Sequence, residues 1–286
     1  MTYRELYERL TLGNIENSEW DAACLLSHFC GISLSTVYAD TERDYALSGD
    51  LENAVARRLA HEPLQYILGE WEFYRQTYEV TPDCLIPRSD TECLVEEAIK
   101  LLPHGALFAD LCTGSGCIAI STLAERPDTR AYALEKFPAT LALAERNAQR
   151  NGVRDRFEPI CADVLLLPSL PFGSLDAILS NPPYIATREI QALSQEVHAE
   201  PYAALDGGED GLDFYRAILK NWSHLLKKDG FILFEIGYDQ GAALTELSHA
   251  YGFQSVCIKR DLGGNDRVAI LSNFTPTDHN RKDTNH

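Results

Sequence analysis

What this chain lacks narrows it first. Basic residues are few: 25 Lys and Arg stand against 43 Asp and Glu in 286 residues, a net charge of −18. A protein that grips duplex nucleic acid needs a cationic footprint to displace condensed counterions. No Lys/Arg cluster occurs, so no direct nucleic-acid binding is expected. Nor is there a run of eighteen apolar residues, and Met1-Thr2-Tyr3-Arg4-Glu5 lacks the basic-then-apolar order of a signal peptide. No membrane role is expected, and a cytoplasmic setting is. The eight cysteines form no C-x-x-C pair, and the eight histidines are isolated. Reduced, mostly buried thiols are therefore expected in place of disulfides or zinc, with no metal site and no catalytic histidine. The length allows two domains and a substantial core.

Among what is present, one tetrapeptide stands out. Asn181-Pro182-Pro183-Tyr184 follows the apolar run Asp176-Ala177-Ile178-Leu179-Ser180. Successive prolines fix their own φ and hold the preceding residue extended. Neither proline has an N–H, so the stiff turn offers acceptors: the Asn181 side-chain oxygen and the Pro182 carbonyl, with Tyr184 as a flat face beside them. A planar –NH2 group needs acceptors for both hydrogens. Supplying them favours the state in which its delocalised nitrogen pyramidalises and gains positive charge. Asn181, Pro182 and Tyr184 are the candidate catalytic residues; with Pro183 they form the candidate substrate-binding set. A proline-stiffened strand end is the plain alternative.

Earlier in the chain, Ala106 to Leu111 reads as a buried strand, Cys112-Thr113-Gly114-Ser115-Gly116 as a tight loop, and Cys117 to Ala124 as a helix. That order brings backbone close to a nucleotide-like cofactor at a sheet's carboxyl edge. A second strand, Arg130 to Leu134, ends at Glu135, whose carboxylate can accept from both hydroxyls of a ribose. The loop lacks the third glycine of G-x-G-x-x-G that would admit a pyrophosphate. Asp110 instead puts a carboxylate where a cationic or amino-acid-bearing cofactor would lie. S-adenosylmethionine, with its sulfonium and α-ammonium groups, fits this better than a dinucleotide; S-adenosylhomocysteine would be its product. On the loop alone, a dinucleotide enzyme stays open.

Together the motifs resemble those of class I S-adenosylmethionine-dependent methyltransferases that act on exocyclic or amide nitrogens. Within that group the chain is similar, over nearly its whole length, to the release factor glutamine N5-methyltransferases (the HemK/PrmC family). The stretches that carry this are 61–69, 85–88, 110–116, 181–184, Glu200-Pro201 with Leu205-Asp206-Gly207-Gly208, and 261–268. DNA adenine methyltransferases share the tetrapeptide but not Glu62-Pro63-Leu64-Gln65-Tyr66-Ile67. The resemblance implies methyl transfer to N5 of the glutamine in the Gly-Gly-Gln motif of class I peptide chain release factors. It implies cofactor contacts from Asp110, Cys112, Thr113, Gly114, Ser115, Gly116, Glu135, Asp163, Val164 and Asn181. Asp163 would bond the adenine amino group, and Val164 would lie against the adenine face. Two positions depart from the family pattern: Cys112 replaces its usual glycine, and Glu135 its frequent Asp. A slightly reshaped pocket with intact function is expected. The alternatives are an adenine or guanine amino-methyltransferase, a ribosomal-protein glutamine methyltransferase, and a non-catalytic cofactor-binding protein.

Organisation follows from the hydrophobic pattern. Residues 1–70 read as a helical substrate-recognition domain, with a helix starting at Ser18-Glu19-Trp20-Asp21 and another over 48–61. Residues 71–88 read as a β-hairpin connector. From 89 to 274 strands and helices alternate, beginning with a capping box at Ser89-Asp90-Thr91-Glu92. Strands are expected at 130–135, 157–161, 175–180 and 231–236, with helices at 138–150, 211–227 and 240–250. The fold class is α/β: a doubly wound, mainly parallel, seven-stranded Rossmann-like sheet ending in an antiparallel edge pair at 253–258 and 267–272. The segment 185–210 shows no periodicity and reads as a substrate-holding wall. Residues 275–286 are polar and read as a disordered tail.

Overall fold

The structure, a computed structural model, describes residues 1–166, 168 and 175–276. Contacts divide it into two units. One holds Met1–Glu70, Val80–Pro82 and Ser194–Ala199; the other holds Trp71–Glu79, Asp83–Leu193 and the chain from Glu200 onward.

The first unit is helical. Its helices are α1 (Tyr3–Leu12), α2 (Ser18–Cys30), α3 (Leu34–Ala39), α4 (Gly49–Leu59), α5 (Leu64–Leu68) and the short α9 (Gln195–His198). Leu6, Leu10, Leu25, Leu26 and Val55 are fully buried between them. Ser48 caps α4 by accepting from the Leu51 N–H. Helix α2 begins at Ser18 as expected, but its N-cap is Asn17, with no side-chain bond. Tertiary partners took the capping side chains. Ser18 Oγ bonds Thr11 Oγ1 at 2.9 Å, and Asp21 accepts from Arg58 Nε at 2.6 Å. The Arg58 guanidinium, 2% exposed, is also paired with Glu196 of α9 and donates to the Glu62 carbonyl.

In the second unit, β1 (Glu70–Phe73) and β2 (Gln76–Glu79) form the hairpin. Its two-residue turn puts Tyr74 and Arg75 at φ 44° and 69°, the left-handed pair of a type I′ turn. The Tyr74 N–H donates to Glu92 Oε1 at 3.0 Å. That contact removes Glu92 from the expected capping box: Ser89–Thr91 form a 3₁₀ turn, and α6 (Glu92–Leu101) begins after it.

The remaining elements are β3 (Leu107–Leu111), α7 (Cys117–Glu125), β4 (Arg130–Glu135), α8 (Pro138–Arg150), β5 (Phe157–Cys161), β6 (Leu175–Ser180), α10 (Asp213–Asn221), β7 (Leu226–Glu235), α11 (Gly241–Ala250), β8 (Phe253–Arg260) and β9 (Asp266–Phe274). Seven strands form one sheet in the order β5-β4-β3-β6-β7-β9-β8, with β9 antiparallel to both its neighbours and the other pairings parallel. Two apolar layers cover its faces. Leu94, Ile118, Ile120 and Leu123 lie in one, and Tyr215, Ile218, Leu219 and Trp222 in the other.

Two expectations change here. Helix 211–227 is shorter than its pattern, since Trp222 is buried and donates from Nε1 to the Val164 carbonyl at 2.9 Å. The strand expected at 231 starts at Leu226, which pairs with Leu175 before a bulge. Of the expected tail, Thr275 still donates to the Gly252 carbonyl, and 277–286 lie outside the described residues. Among the described residues no helix is long and apolar enough to cross a membrane.

The Arg58 cluster makes a stability prediction. Removing one partner of a buried ion pair leaves an uncompensated charge, typically at a cost of about 3–5 kcal/mol. Arg58→Ala should lose about that much in denaturant unfolding, because Asp21 stays buried; a loss below about 1 kcal/mol would show that water reaches the pair.

Candidate active site

Strands β3 and β6 pair in parallel with Leu111 opposite Ser180, and Ser180 Oγ donates to the Leu111 carbonyl at 2.6 Å. The next residues, Cys112 and Asn181, therefore leave adjacent strands at the same carboxyl edge. This is the sheet's switch point, where α/β folds place ligands.

The loop after β3 is held by carboxylates. Asp110 is fully buried; its Oδ2 accepts from Thr113 Oγ1 at 2.6 Å and from the Ala119 N–H at 3.1 Å. It thus satisfies a free N–H in the first turn of α7, as a capping acid does. Burial pushes Asp110 up to about 7, against these two bonds. Its Oδ1 has no partner. Glu135, 8% exposed, accepts from the Gly114 N–H through Oε2 (3.1 Å) and from the Lys136 and Phe137 N–H groups through Oε1 (2.9 and 3.1 Å). Burial raises its pKa, and the three backbone donors oppose that. Cys112 sits at φ 61°, a region that costs a side chain about 1–2 kcal/mol. Glycine at this position would carry no such strain. Burial holds the Cys112 thiol well above its ordinary pKa, so it is not a reactive thiolate.

The tetrapeptide is fixed from several sides. Asn181 Nδ2 donates to Thr91 Oγ1 at 3.2 Å, which leaves Oδ1 as its free acceptor. The Tyr184 carbonyl accepts from Gln240 Nε2 at 2.9 Å, and its hydroxyl donates to Glu235 Oε1 at 3.4 Å. The Ile185 N–H donates to the Leu205 carbonyl, and the Gly207 N–H to the Ile185 carbonyl. Backbone packs on backbone here: a Cβ on Gly207 would lie 2.8 Å from the Pro183 oxygen, and one on Gly211 2.3 Å from the Tyr184 oxygen. The glycines of 205–211 are thus needed for close approach.

A cavity of about 440 Å³ opens between the loop and the tetrapeptide. Cys112 to Ser115, Glu135, Asp163, Val164, Asn181 and Pro183 line it. Asp110, Gly116, Pro182 and Tyr184 are absent from the described lining. Asp110 lies beneath the loop, bound to Thr113 and Ala119. Tyr184 turns its ring into the core, toward Glu235, and is no open flat face. Asp163 lines the cavity, but both its oxygens are engaged, by Lys136 Nζ at 2.9 Å and the Leu165 N–H at 3.0 Å. Burial pushes Asp163 up, and these two contacts more than offset it. Sequence reading missed Thr91, Lys136, Gln240 and Glu235. Only Glu235 left a signal, a lone acid closing the apolar run 231–236.

Comparison with known proteins fits this geometry. The profile of the PrmC N-terminal domain matches residues 2–69, and that of the methyltransferase small domain residues 90–210. The release factor glutamine methyltransferase of Geobacter sulfurreducens is 39% identical over 263 residues, covering 89% of both chains. The chain belongs to the release factor glutamine methyltransferase family. The family's member from Moorella thermoacetica is 38% identical, over 93% of this chain and 95% of its own. Among solved structures, the hMettl16 catalytic domain in complex with a 3′UTR hairpin is 17% identical, with a TM-score of 0.57 over 78% of this chain and 81% of that one. That likeness shows the methyltransferase fold alone.

The close packing at Gly211 can be tested. Its φ of +76° and the clash at Tyr184 mean that Gly211→Ala must displace the tetrapeptide. Stability should fall by about 1–3 kcal/mol. Methyltransferase activity should fall by on the order of 10²-fold, the usual result of a misplacement near 1 Å. Unchanged turnover would show that the tetrapeptide tolerates the shift.

Proposed function

We propose that this chain methylates the side-chain amide nitrogen of the glutamine in the Gly-Gly-Gln motif of class I peptide chain release factors, using S-adenosylmethionine, in the cytoplasm. One observation carries the reading. Asn181, with Nδ2 bound to Thr91, has Oδ1 to offer as an acceptor in a cavity walled on its other side by the glycine loop and Glu135.

The cavity suits this cofactor. Its volume lies in the range of about 300–1,000 Å³ usual for small-molecule sites. Five acids line it (Asp83, Glu135, Asp163, Asp206, Asp213) against two bases, Arg88 and Lys136, a balance that favours a cationic ligand. Glu135 Oε2 carries a single N–H and keeps capacity for a ribose hydroxyl. Leu134, Val164 and Leu165 offer apolar surface to a base. Cys112 to Ser115 and Glu135 would hold the cofactor from one side, with Asn181 between it and the substrate.

When bound, S-adenosylmethionine supplies an electrophilic methyl group. The chain's own part is to place an amide nitrogen and to stabilise its developing charge. Asn181 Oδ1 accepts one N–H, and the Pro182 carbonyl is proposed for the other. An acceptor aimed at a nitrogen that gains positive charge binds the transition state more tightly than the ground state. The amide proton grows acidic as that charge builds, so Asn181 Oδ1 or water suffices to receive it. Residues 1–70 are proposed to recognise the release factor, since every chemical motif follows residue 85.

Two variants separate the roles. Asn181→Ala should lower kcat by roughly 10²–10³ and change cofactor affinity far less. Glu135→Ala should raise the cofactor Kd at least about tenfold, the worth of a charged hydrogen bond of about 1.5–3 kcal/mol, whereas Glu135→Asp should be mild. Turnover kinetics and calorimetry read the two effects; equal losses from both variants would merge the roles.

The substrate test uses release factor carrying Gln, Asn or Glu in the Gly-Gly-Gln motif, with methyl-labelled cofactor. Glu sets carboxylate oxygens against acceptors, and sites built for a substrate N–H reject such analogues by about 10⁴ or more. Asn shortens the reach, at about 10²-fold. The expected order is Gln, Asn well below, Glu undetectable. Label on the Glu variant at the rate of Gln would mean that another atom is methylated; transfer to DNA or RNA instead would assign a nucleic-acid substrate.

A further inference from the structure

Glu235 closes β7 with its side chain buried, 1% exposed. The Tyr184 hydroxyl donates to its Oε1 at 3.4 Å, and the Tyr215 hydroxyl to its main-chain carbonyl at 2.8 Å. The Thr91 hydroxyl lies beside its carboxyl group. Oε2 has no hydrogen-bond partner. An acid this buried, with an oxygen unsatisfied, is costly to keep, and the fold alone gives no reason for it.

The reason lies in what Thr91 does next. Thr91 is 1% exposed, and its Oγ1 is the acceptor for Asn181 Nδ2. A hydroxyl has one hydrogen, and an ionised carboxylate can only accept. The open Oε2 is an acceptor for that hydrogen, and a Thr91 that gives it to Glu235 can offer Asn181 only lone pairs. The Asn181 amide must then turn its NH2 toward Thr91 and keep Oδ1 for the cavity. Flipped over, it would set Oδ1 against the Thr91 oxygen and present N–H donors where the substrate's own N–H arrives.

We propose that Glu235 is a positioning residue that sets, through Thr91, which end of the Asn181 amide faces the substrate, and anchors the tetrapeptide through the Tyr184 hydroxyl. This rests on Asn181 being the acceptor for the substrate amide. The charged and titratable groups facing Glu235 are Asp90, Cys93, Cys117, Tyr184, Tyr215 and Arg267. Burial lifts Glu235 to about 7, with Thr91 and Arg267 opposing. A protonated Glu235 has a hydrogen of its own to give, so the direction of the chain is enforced only above that pH.

The test is a double-mutant cycle on the full chain with S-adenosylmethionine and release factor. Glu235→Gln, nearly isosteric, should lower kcat by on the order of tenfold and leave the cofactor Kd within about twofold. In the Asn181→Ala background it should cost nothing further. The wild-type kcat should fall as pH drops below about 7, and that fall should vanish in Glu235→Gln. Thr91→Val should reproduce the loss, which keeps the idea testable if Glu235→Gln folds poorly. Equal losses from Glu235→Gln in both backgrounds, or none in either, would overturn the positioning role while leaving Asn181 as acceptor. Wild-type kcat in Asn181→Ala would instead sink the acceptor reading, and the proposal with it.

Discussion

The parallel pairing of β3 with β6 is the constraint on which the site depends. Because Leu111 lies opposite Ser180, the glycine loop and the proline turn emerge as neighbours, although the whole of β4, α8 and β5 separates them in sequence. A register slip of one residue would reverse which side chains reach the core, and the two loops would no longer leave level with each other. The Ser180 hydroxyl bond to the Leu111 carbonyl locks that register at the point where it matters.

Around this edge, buried carboxylates do the organising, and they do it by collecting backbone N–H groups and a hydroxyl. Asp110 gathers Thr113 and the first turn of α7; Glu135 gathers Gly114, Lys136 and Phe137. The prolines of the tetrapeptide have no N–H to give, so it joins that scheme only through the Tyr184 hydroxyl on Glu235. The rest of its hold comes from Thr91, from Gln240 and from direct backbone packing against Gly207 and Gly211. One side of the cavity is thus built from donors tied to acids, the other from acceptors left open. That asymmetry suits a cationic ligand facing an amide.

Much of the fold was legible in the sequence. Strands 130–135, 157–161 and 175–180 and helix 138–150 fall where the apolar runs and their breakers put them, because central parallel strands are continuous hydrophobic stretches. The failures share one cause. Glu92 looks like a capping residue locally, yet the Tyr74 backbone claims it, and the helical pattern at Trp222 is overridden by its bond to the Val164 carbonyl. The site behaves likewise. Its residue types were readable wherever a motif is contiguous, but the hold that Asp110 has on the loop through Thr113 and Ala119 was not. Thr91 was invisible and Glu235 showed only as a lone acid in an apolar run, since their meaning arises only when strand order brings them beside Asn181 and Tyr184.

The helical unit is written in three separate stretches of chain, the last being Ser194–Ala199. Arg58 and Glu196 are therefore one feature whose halves lie 138 residues apart in the chain. A chimera that took only the first seventy residues from a relative would strand Glu196 opposite a foreign side chain. Any natural exchange of helical units within the family must carry the 194–199 segment along, and sequence drift at position 58 should be matched by drift at 196.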